Sequence, residues 1–515
     1  MALWYYNSID AGGYEGEKIF FHEGVLVRLE TVDGDIRFVE LDKGDLRLAL
    51  SQSKWSHIGK DGTPEPVHEL PYLVIESCLK AGRGSLPHIP EIKGFYTGIL
   101  LTSNGDVISR PGYNQLTGLY LTEDYPPLDI PEHPTSEDVQ AVRDLLWSIF
   151  HEFTFADDQT EESTDYQNVL VALLMAIFRP TWEYGAMPIW IVDKTTQGAG
   201  ASLLQSIVCR LATGHVPIST TAPQNNAEFD KLYQTFANEG RDFALIDNIT
   251  RESEWVTPGL LTATSGTGII SFRGFRTQNS VTRKCTTFYA FNGIHLDIRE
   301  DVCRRIVVTR LNPPKAWQEL EGYFTVSRHD LELMALKLHP EIIKAAAVLL
   351  RYWKEAGEPN PPKCSGNISE YPEMYRIICG MLHYAGYKNV LANMGDIQNT
   401  EDESIAEGIE FLEDFGRQFP NGCTPKDLQN IILQEAGTRK SGGVPGTNFM
   451  DHAPEKIRDA AVRGTLAPER VGHWLTSICG TKYKGHGCFL ERAAKKGRGG
   501  RKYYLKEIAE QQKIA

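Results

Sequence analysis

The chain has 515 residues, of which 41% are hydrophobic and 23% charged, and a formal net charge of −14. That composition excludes a disordered, collagen-like or disulfide-stapled chain and supplies ample material for a core. The acidic balance argues against coating nucleic acid with the whole surface but leaves room for a local basic patch.

At about 150 residues per domain, the length predicts roughly three to four domains. The cysteines form no C-x-x-C pair, so reduced and mostly buried thiols are expected rather than a zinc ribbon or redox motif. The start, MALWYYNSIDAGGYEGEK, lacks the basic and apolar regions of a signal peptide. The longest apolar stretch, Val169 to Phe178, is too short to span a bilayer. The expectation is a cytoplasmic protein with no membrane partner.

Between Lys18 and Leu121, short β-rich runs alternate with turn signals, with Asp33-Gly34 and Asn104-Gly105 at two hairpins. A helical piece, LPYLVIESCLKA, lies between them, so residues 1–133 are read as an N-terminal α+β domain and a Pro-rich linker. Ser136 begins a capped helical pattern, and Asp165 to Phe178 predicts a strongly apolar helix. From Met187 to Leu311, β-runs, loops and helices follow one another as in an α/β core, assigned to residues 134–326. Helices then dominate residues 327–419: HDLELMALKL, PEIIKAAAVLLRYWKEAG and YPEMYRIICGMLHYAG, with Gly357 and Gly386 as stops. Residues 420–515 form a last unit.

The segment MPIWIVDKTTQGAGASLLQSIVCR carries the most chemistry. An apolar strand meets a Gly-containing loop, and an apolar helix opens at Ala201 or Ser202. Backbone N–H groups in such a loop and helix start can cradle phosphate. The loop residues are Thr196, Gln197, Gly198, Ala199, Gly200, Ala201, Ser202 and Leu203, with Ser202 where a magnesium ligand belongs. The G-x-x-x-x-G-K-[ST] pattern is met in part. Thr195 stands at the first Gly position and Ala201 at the Lys position. Lys194 lies too early in the loop to replace that Lys by register.

Companion segments strengthen the nucleotide reading. The apolar run Phe243 to Ile246 ends in Asp247, placed as the magnesium acid, followed by Asn248 where a water-polarising Glu would serve; Glu252 or Glu254 could substitute. Another β-run, Lys284 to Phe291, ends in Asn292, which could bond the γ-phosphate or the water. Arg304 and Arg305 precede a further apolar strand, and in a ring of subunits they could reach a neighbour's γ-phosphate.

With these residues the sequence resembles the AAA+ ATPases and helicases of phages, plasmids and mobile elements, relatives of the superfamily 3 and MCM-like helicases and of primase-helicases. The segments FALIDNI, LLTATSGTGIISFRGFRTQN, FNGIHLDIREDVCRR and YWKEAGEPNP carry the resemblance. It implies an AAA+ P-loop core, a helical lid, ring assembly as a hexamer, and ATP-driven translocation on DNA. Ser202 and Asp247 would hold Mg2+, Asn292 would be sensor 1, and Arg304 or Arg305 the finger. Ala201 in place of Lys leaves two explanations: a natural loss of hydrolysis, or a Lys→Ala substitution introduced to trap an ATPase. The intact surroundings favour the second.

Two basic segments face DNA in this reading. The C-terminal unit reads as a winged helix for duplex DNA, with Lys495, Lys496, Arg498, Arg501 and Lys502 on its wing. In the core, Arg273, Arg276, Arg283 and Lys284 are interleaved with Phe272 and Phe275, which suits a pore hairpin on a single strand. The same arginines could instead serve a neighbour's nucleotide. The sequence thus reads as a ring-forming DNA helicase or replication-initiation ATPase. The alternative is a hydrolysis-deficient, nucleotide-dependent DNA-binding assembly or regulatory protein.

Overall fold

In the computed structural model, the structure describes residues 19–507 apart from 274–279, 314–324, 480–487, 494–500 and shorter stretches at 23, 33–34, 52–54, 59–60, 62, 68–71, 81–82, 88, 224, 251–252, 295, 297 and 299. The chain forms two compact units, Met1–Met394 and Gly395–Ala515. The four segments expected from sequence subdivide the chain more finely than this.

The first unit is built around a parallel sheet. Its strands are β1 (Ile189–Lys194), β2 (Ser219–Thr221), β3 (Phe243–Ile249), β4 (Phe288–Ile294) and β5 (Ile306–Leu311). Their spatial order is β2-β3-β4-β1-β5, and every pairing is parallel. Near-continuous apolar runs such as IWIV in β1 and FALI in β3 are buried throughout, as strands covered on both faces require. Chain connections leave β1 towards β2 on one side and return to β5 on the other, which opens a crevice at the carboxyl ends of the strands.

Helices cover the sheet. The helix α1 (Ser136–Phe150) starts in a capping box between Thr135 and Asp138, and α2 (Thr164–Phe178) is capped by Ser163. Nearly every residue of α2 is buried, which explains the long apolar run. The helix α3 (Ala201–Thr213), which follows the Gly-containing loop after β1, packs against α4 (Arg328–Glu355).

Here the structure departs from the expected pair of helices. HDLELMALKL and PEIIKAAAVLL form one 28-residue helix with Pro340 inside it. An interior proline costs about 3 kcal/mol through its missing N–H and its ring clash. Ala335, His339, Ile342, Ile343 and Ala346 are all buried across that point, and their packing outweighs the local penalty.

His339 also ties the N-terminal region to the core. Its Nε2 accepts from the Ile99 N–H at 2.9 Å, and its Nδ1 donates to Leu211 O at 2.8 Å. Those roles require the neutral ring with the proton on Nδ1. Beside it, a Cβ on Gly98 would lie 2.3 Å from the Thr213 carbonyl oxygen and 2.9 Å from His339 Nε2. Gly98→Ala is therefore expected to cost about 1–3 kcal/mol by overpacking. Thermal denaturation checks this, and an unchanged midpoint would contradict the close approach.

The smaller N-terminal elements follow the sequence reading. Val25–Val32 and Asp35–Glu40 pair antiparallel with Val32 opposite Asp35; residues 33–34 themselves lie outside the described residues. Leu100–Leu101 pairs with Val107–Ile108 around Gly105, whose φ of 96° suits glycine. Gly357 and Gly386 end their helices at φ of 81° and 97°. The segment YPEMYRIICGMLHYAG is helical with a π turn at Tyr375–Cys379. All the cysteines are free, most of them buried.

The second unit has its own core, including Phe411, Phe415, Leu428, Ile432, Phe449, Val471, Leu475, Leu490 and Tyr503. Thr424 and Asp427 form a capping box at the helix Pro425–Lys440. A hairpin pairs Cys488–Arg492 with Tyr503–Glu507, and Cys423 bridges Tyr503 alongside it. The Tyr503 hydroxyl bonds Gly472 O and the Thr476 hydroxyl, which docks the hairpin on the helix Pro468–Ser477. Among the described residues, no helix is long and apolar enough to cross a membrane.

Candidate nucleotide site

The loop between β1 and α3 turns through two glycines, Gly198 at φ 78° and Gly200 at φ 89°. Those angles are left-handed and strained for any residue with a Cβ. No side chain caps α3; its first carbonyl bond runs from Leu204 N–H to Gly200 O at 2.8 Å. The N–H groups before Leu204 thus face outward from the helix start, where an anion is favoured. The Thr196 hydroxyl is buried and has no partner.

Ser202, in the first turn of α3, meets Asp247 at the end of β3. Its hydroxyl lies 3.0 Å and 3.1 Å from the two carboxylate oxygens. The pairing of β3 with β4 shifts between Ile246 and Ile249, and Asn248 takes φ 61°. This irregularity re-aims the strand end at which Asp247 sits. Asn248 itself is exposed; Glu254 is exposed and accepts from the Asn226 N–H, and Glu252 lies outside the described residues.

Asn292, at the end of β4, is fully buried and engaged on both ends of its amide. Its Nδ2 donates to Gln205 Oε1 at 2.8 Å, and Gln205 Nε2 in turn donates to Phe291 O at 2.8 Å. Its Oδ1 accepts from Lys194 Nζ at 3.3 Å. Sequence reasoning set Lys194 aside on register. In the structure Lys194 is 8% exposed and lines the same cavity as Gly198, Gly200, Ala201 and Ser202. Burial lowers the pKa of its ammonium, against the opposing pull of Asp247. The available signal was the alternation of β1, which puts Lys194 on the same side as Val192, two residues earlier.

That cavity has a volume of about 480 Å³, within the usual range for small-molecule sites. Its far wall is apolar, with Ile149, Phe153, Leu203, Leu331 and Met334. Glu152 closes one side by accepting from the Thr325 N–H and hydroxyl, the former at 3.1–3.2 Å. Sequence reasoning missed this wall because its parts are far apart in the chain. The Ser202 hydroxyl and Asp247 carboxylate beside an uncapped, Gly-rich helix start fit Mg2+, which keeps several waters and takes few protein ligands. Among the described residues there is no cluster of three or more His, Cys, Asp or Glu to hold a metal alone.

Arg304 and Arg305 precede β5 and so lie at the opposite end of the sheet from their own loop. Arg305 is buried, paired with Glu370 at 3.0 Å and bonded to Leu261 O. Arg304 is partly exposed. In the hairpin Ile269–Arg273/Ser280–Lys284, Arg273 pairs with Ser280 and Arg283 with Ile270; Arg276 lies outside the described residues. Lys284, at the hairpin base, is exposed and donates to Trp182 O at 3.0 Å. On the C-terminal hairpin, Arg501 and Lys502 are exposed, whereas Lys495, Lys496 and Arg498 lie outside the described residues.

No family model matches the chain, and no curated protein matches it. Among solved structures, the apo form of the NrS-1 C-terminal region is 12% identical with a TM-score of 0.38, covering 96% of this chain and 97% of that one. A second NrS-1 C-terminal-region structure is 14% identical with a TM-score of 0.34, covering 98% and 99%. The active helicase Cch of SCCmec type IV is 12% identical with a TM-score of 0.29, covering 80% of this chain and 76% of that one. Similarity this low leaves the functional reading to the site's own geometry.

Proposed function

We propose that the chain is a Mg2+-dependent nucleoside-triphosphatase of the AAA+ type that works on DNA as a ring-forming helicase or replication-initiation motor. The contact of Ser202 with both oxygens of Asp247, at the mouth of an uncapped Gly-rich helix start, carries this reading. Bound magnesium would neutralise charge on the β- and γ-phosphates. The loop N–H groups from Thr196 to Leu203 bind the phosphates. The apolar wall of Phe153, Leu331 and Met334 receives the base and keeps water away. Arg304, remote from its own loop, serves the site of the next subunit in a hexamer.

The alternative is a nucleotide-dependent DNA-binding assembly that does not hydrolyse. Two observations favour it: Ala201 at the Lys position, and Asn248 after Asp247. Phosphate release from ATP, with and without single-stranded DNA, separates the two. Turnover stimulated by the strand supports the motor; nucleotide binding without turnover supports the assembly.

Duplex contact falls to the C-terminal unit, with the hairpin as a wing. Replacing Arg501 and Lys502 by Gln is expected to reduce the slope of log affinity against log salt by about 2, roughly 0.9 per phosphate contact. A salt titration of duplex binding reads this, and an unchanged slope would remove the wing from the interface.

A further inference from the structure

Position 201, where a phosphate loop ordinarily carries its lysine, holds an alanine that is 2% exposed at the first turn of α3. The first turn of that helix contains no basic residue. The cavity nonetheless contains a buried cation, Lys194, at the end of β1 just before the loop. Its ammonium has three donors, and the hydrogen bond it makes is a long one, 3.3 Å to Asn292 Oδ1. No described carboxylate lies within ion-pair distance, and Asp247 acts on the ammonium only at longer range. A charge buried in this way is costly without an anion, and a methionine would fill the same volume without that cost. The orphaned Thr196 hydroxyl in the same loop is a second polar group without a protein partner.

We propose that Lys194 supplies the terminal phosphates of the bound nucleotide with the cation that the loop lacks at Ala201, and that Asn292 is the positioning residue that holds it there. This rests on the nucleotide reading above. The bond from Asn292 Nδ2 to Gln205, itself anchored on Phe291 O, fixes which end of the amide faces the lysine. Asn292 therefore presents an acceptor to Lys194 and acts on phosphate through it. This positive charge lies seven positions upstream of Ala201 in sequence, at the strand end rather than the helix start, and lines the same cavity.

The test is a fluorescence titration of the full chain with Mg-ATP carrying a reporter on the ribose, alongside thermal denaturation without nucleotide. Lys194→Met is expected to weaken Mg-ATP binding by about 10- to 100-fold, the range of a lost charge-assisted bond. Adenosine affinity should change by less than about 2-fold, because no phosphate is present. The nucleotide-free melting midpoint should hold or rise, as a buried charge has been removed. The double variant Lys194→Met/Ala201→Lys should regain most of the lost Mg-ATP affinity. Asn292→Asp, which gives Lys194 an internal carboxylate, should weaken Mg-ATP binding, and the loss of the donor to Gln205 Oε1 should lower the midpoint as well.

Unchanged Mg-ATP affinity in Lys194→Met would overturn the proposal while leaving the nucleotide site standing. So would a lowered midpoint together with a double variant that recovers nothing, since Lys194 would then be a structural tie. Failure of the unaltered chain to bind Mg-ATP would overturn both.

Discussion

Asp247→Asn is expected to lower ATP hydrolysis by at least about 100-fold while leaving the melting midpoint within about 2 °C. The apolar run of β3 places the Asp247 carboxylate beside Ser202 at the start of α3. The Asp247 oxygens lie 3.0 Å and 3.1 Å from the Ser202 hydroxyl, so the pair marks where a divalent ion would be shared with phosphate. An amide keeps the shape of the side chain and still accepts from Ser202 on one side. It removes the negative charge that attracts the ion, and catalysis by charge neutralisation fails. Steady-state phosphate release measures the effect. A variant with more than about a third of the original turnover would show that Asp247 has no part in holding the ion.

Acid should destabilise the first unit through His339. Burial pushes this imidazole down to about 4 from its ordinary 6.5; the nearby His215 adds to the shift, and the bond to Leu211 O opposes it without outweighing burial. In the unfolded chain the ring takes up a proton near pH 6.5, whereas the folded site refuses it until about pH 4. The contribution is therefore complete above pH 6.5 and is lost as pH falls towards 4. At about 1.4 kcal/mol per pH unit, the loss amounts to about 3 kcal/mol. His383, lowered by burial, works in the same direction. His215 works in the opposite one: burial lowers its pKa, but the Asp242 carboxylate outweighs this and raises it. Comparison with His339→Gln isolates the single site. The difference in unfolding free energy between the two proteins should shrink between pH 6.5 and 4, and a constant difference would contradict the buried neutral ring.

Much of the fold was legible because local chemistry and burial agree. The capped pattern from Ser136 and the apolar run from Asp165 to Phe178 are both helices, and the apolar runs that lead to Lys194, Asp247 and Asn292 are neighbouring strands of one sheet. The uninterrupted helix through Pro340 was not legible, because the burial of Ala335 to Ile343 against other elements overrides a local breaker. Within the site, the pairing of Ser202 with Asp247 could be anticipated from loop and strand order. Lys194 was legible only through the alternation of β1, since counting loop positions does not show which strand side chains line the cavity. Arg305 differs for a related reason: its ion pair with Glu370 joins residues distant in sequence, leaving Arg304 as the more accessible of the two.

The proposed function requires a nucleotide held between the Gly-rich loop and Asp247. Calorimetric titration of ATP into the full chain, with Mg2+ and then with a chelator, tests that claim most directly. The account predicts binding at least about 10-fold tighter with Mg2+, and Ser202→Ala should abolish most of the difference. Binding that is equal with and without Mg2+, or absent in both, would contradict it.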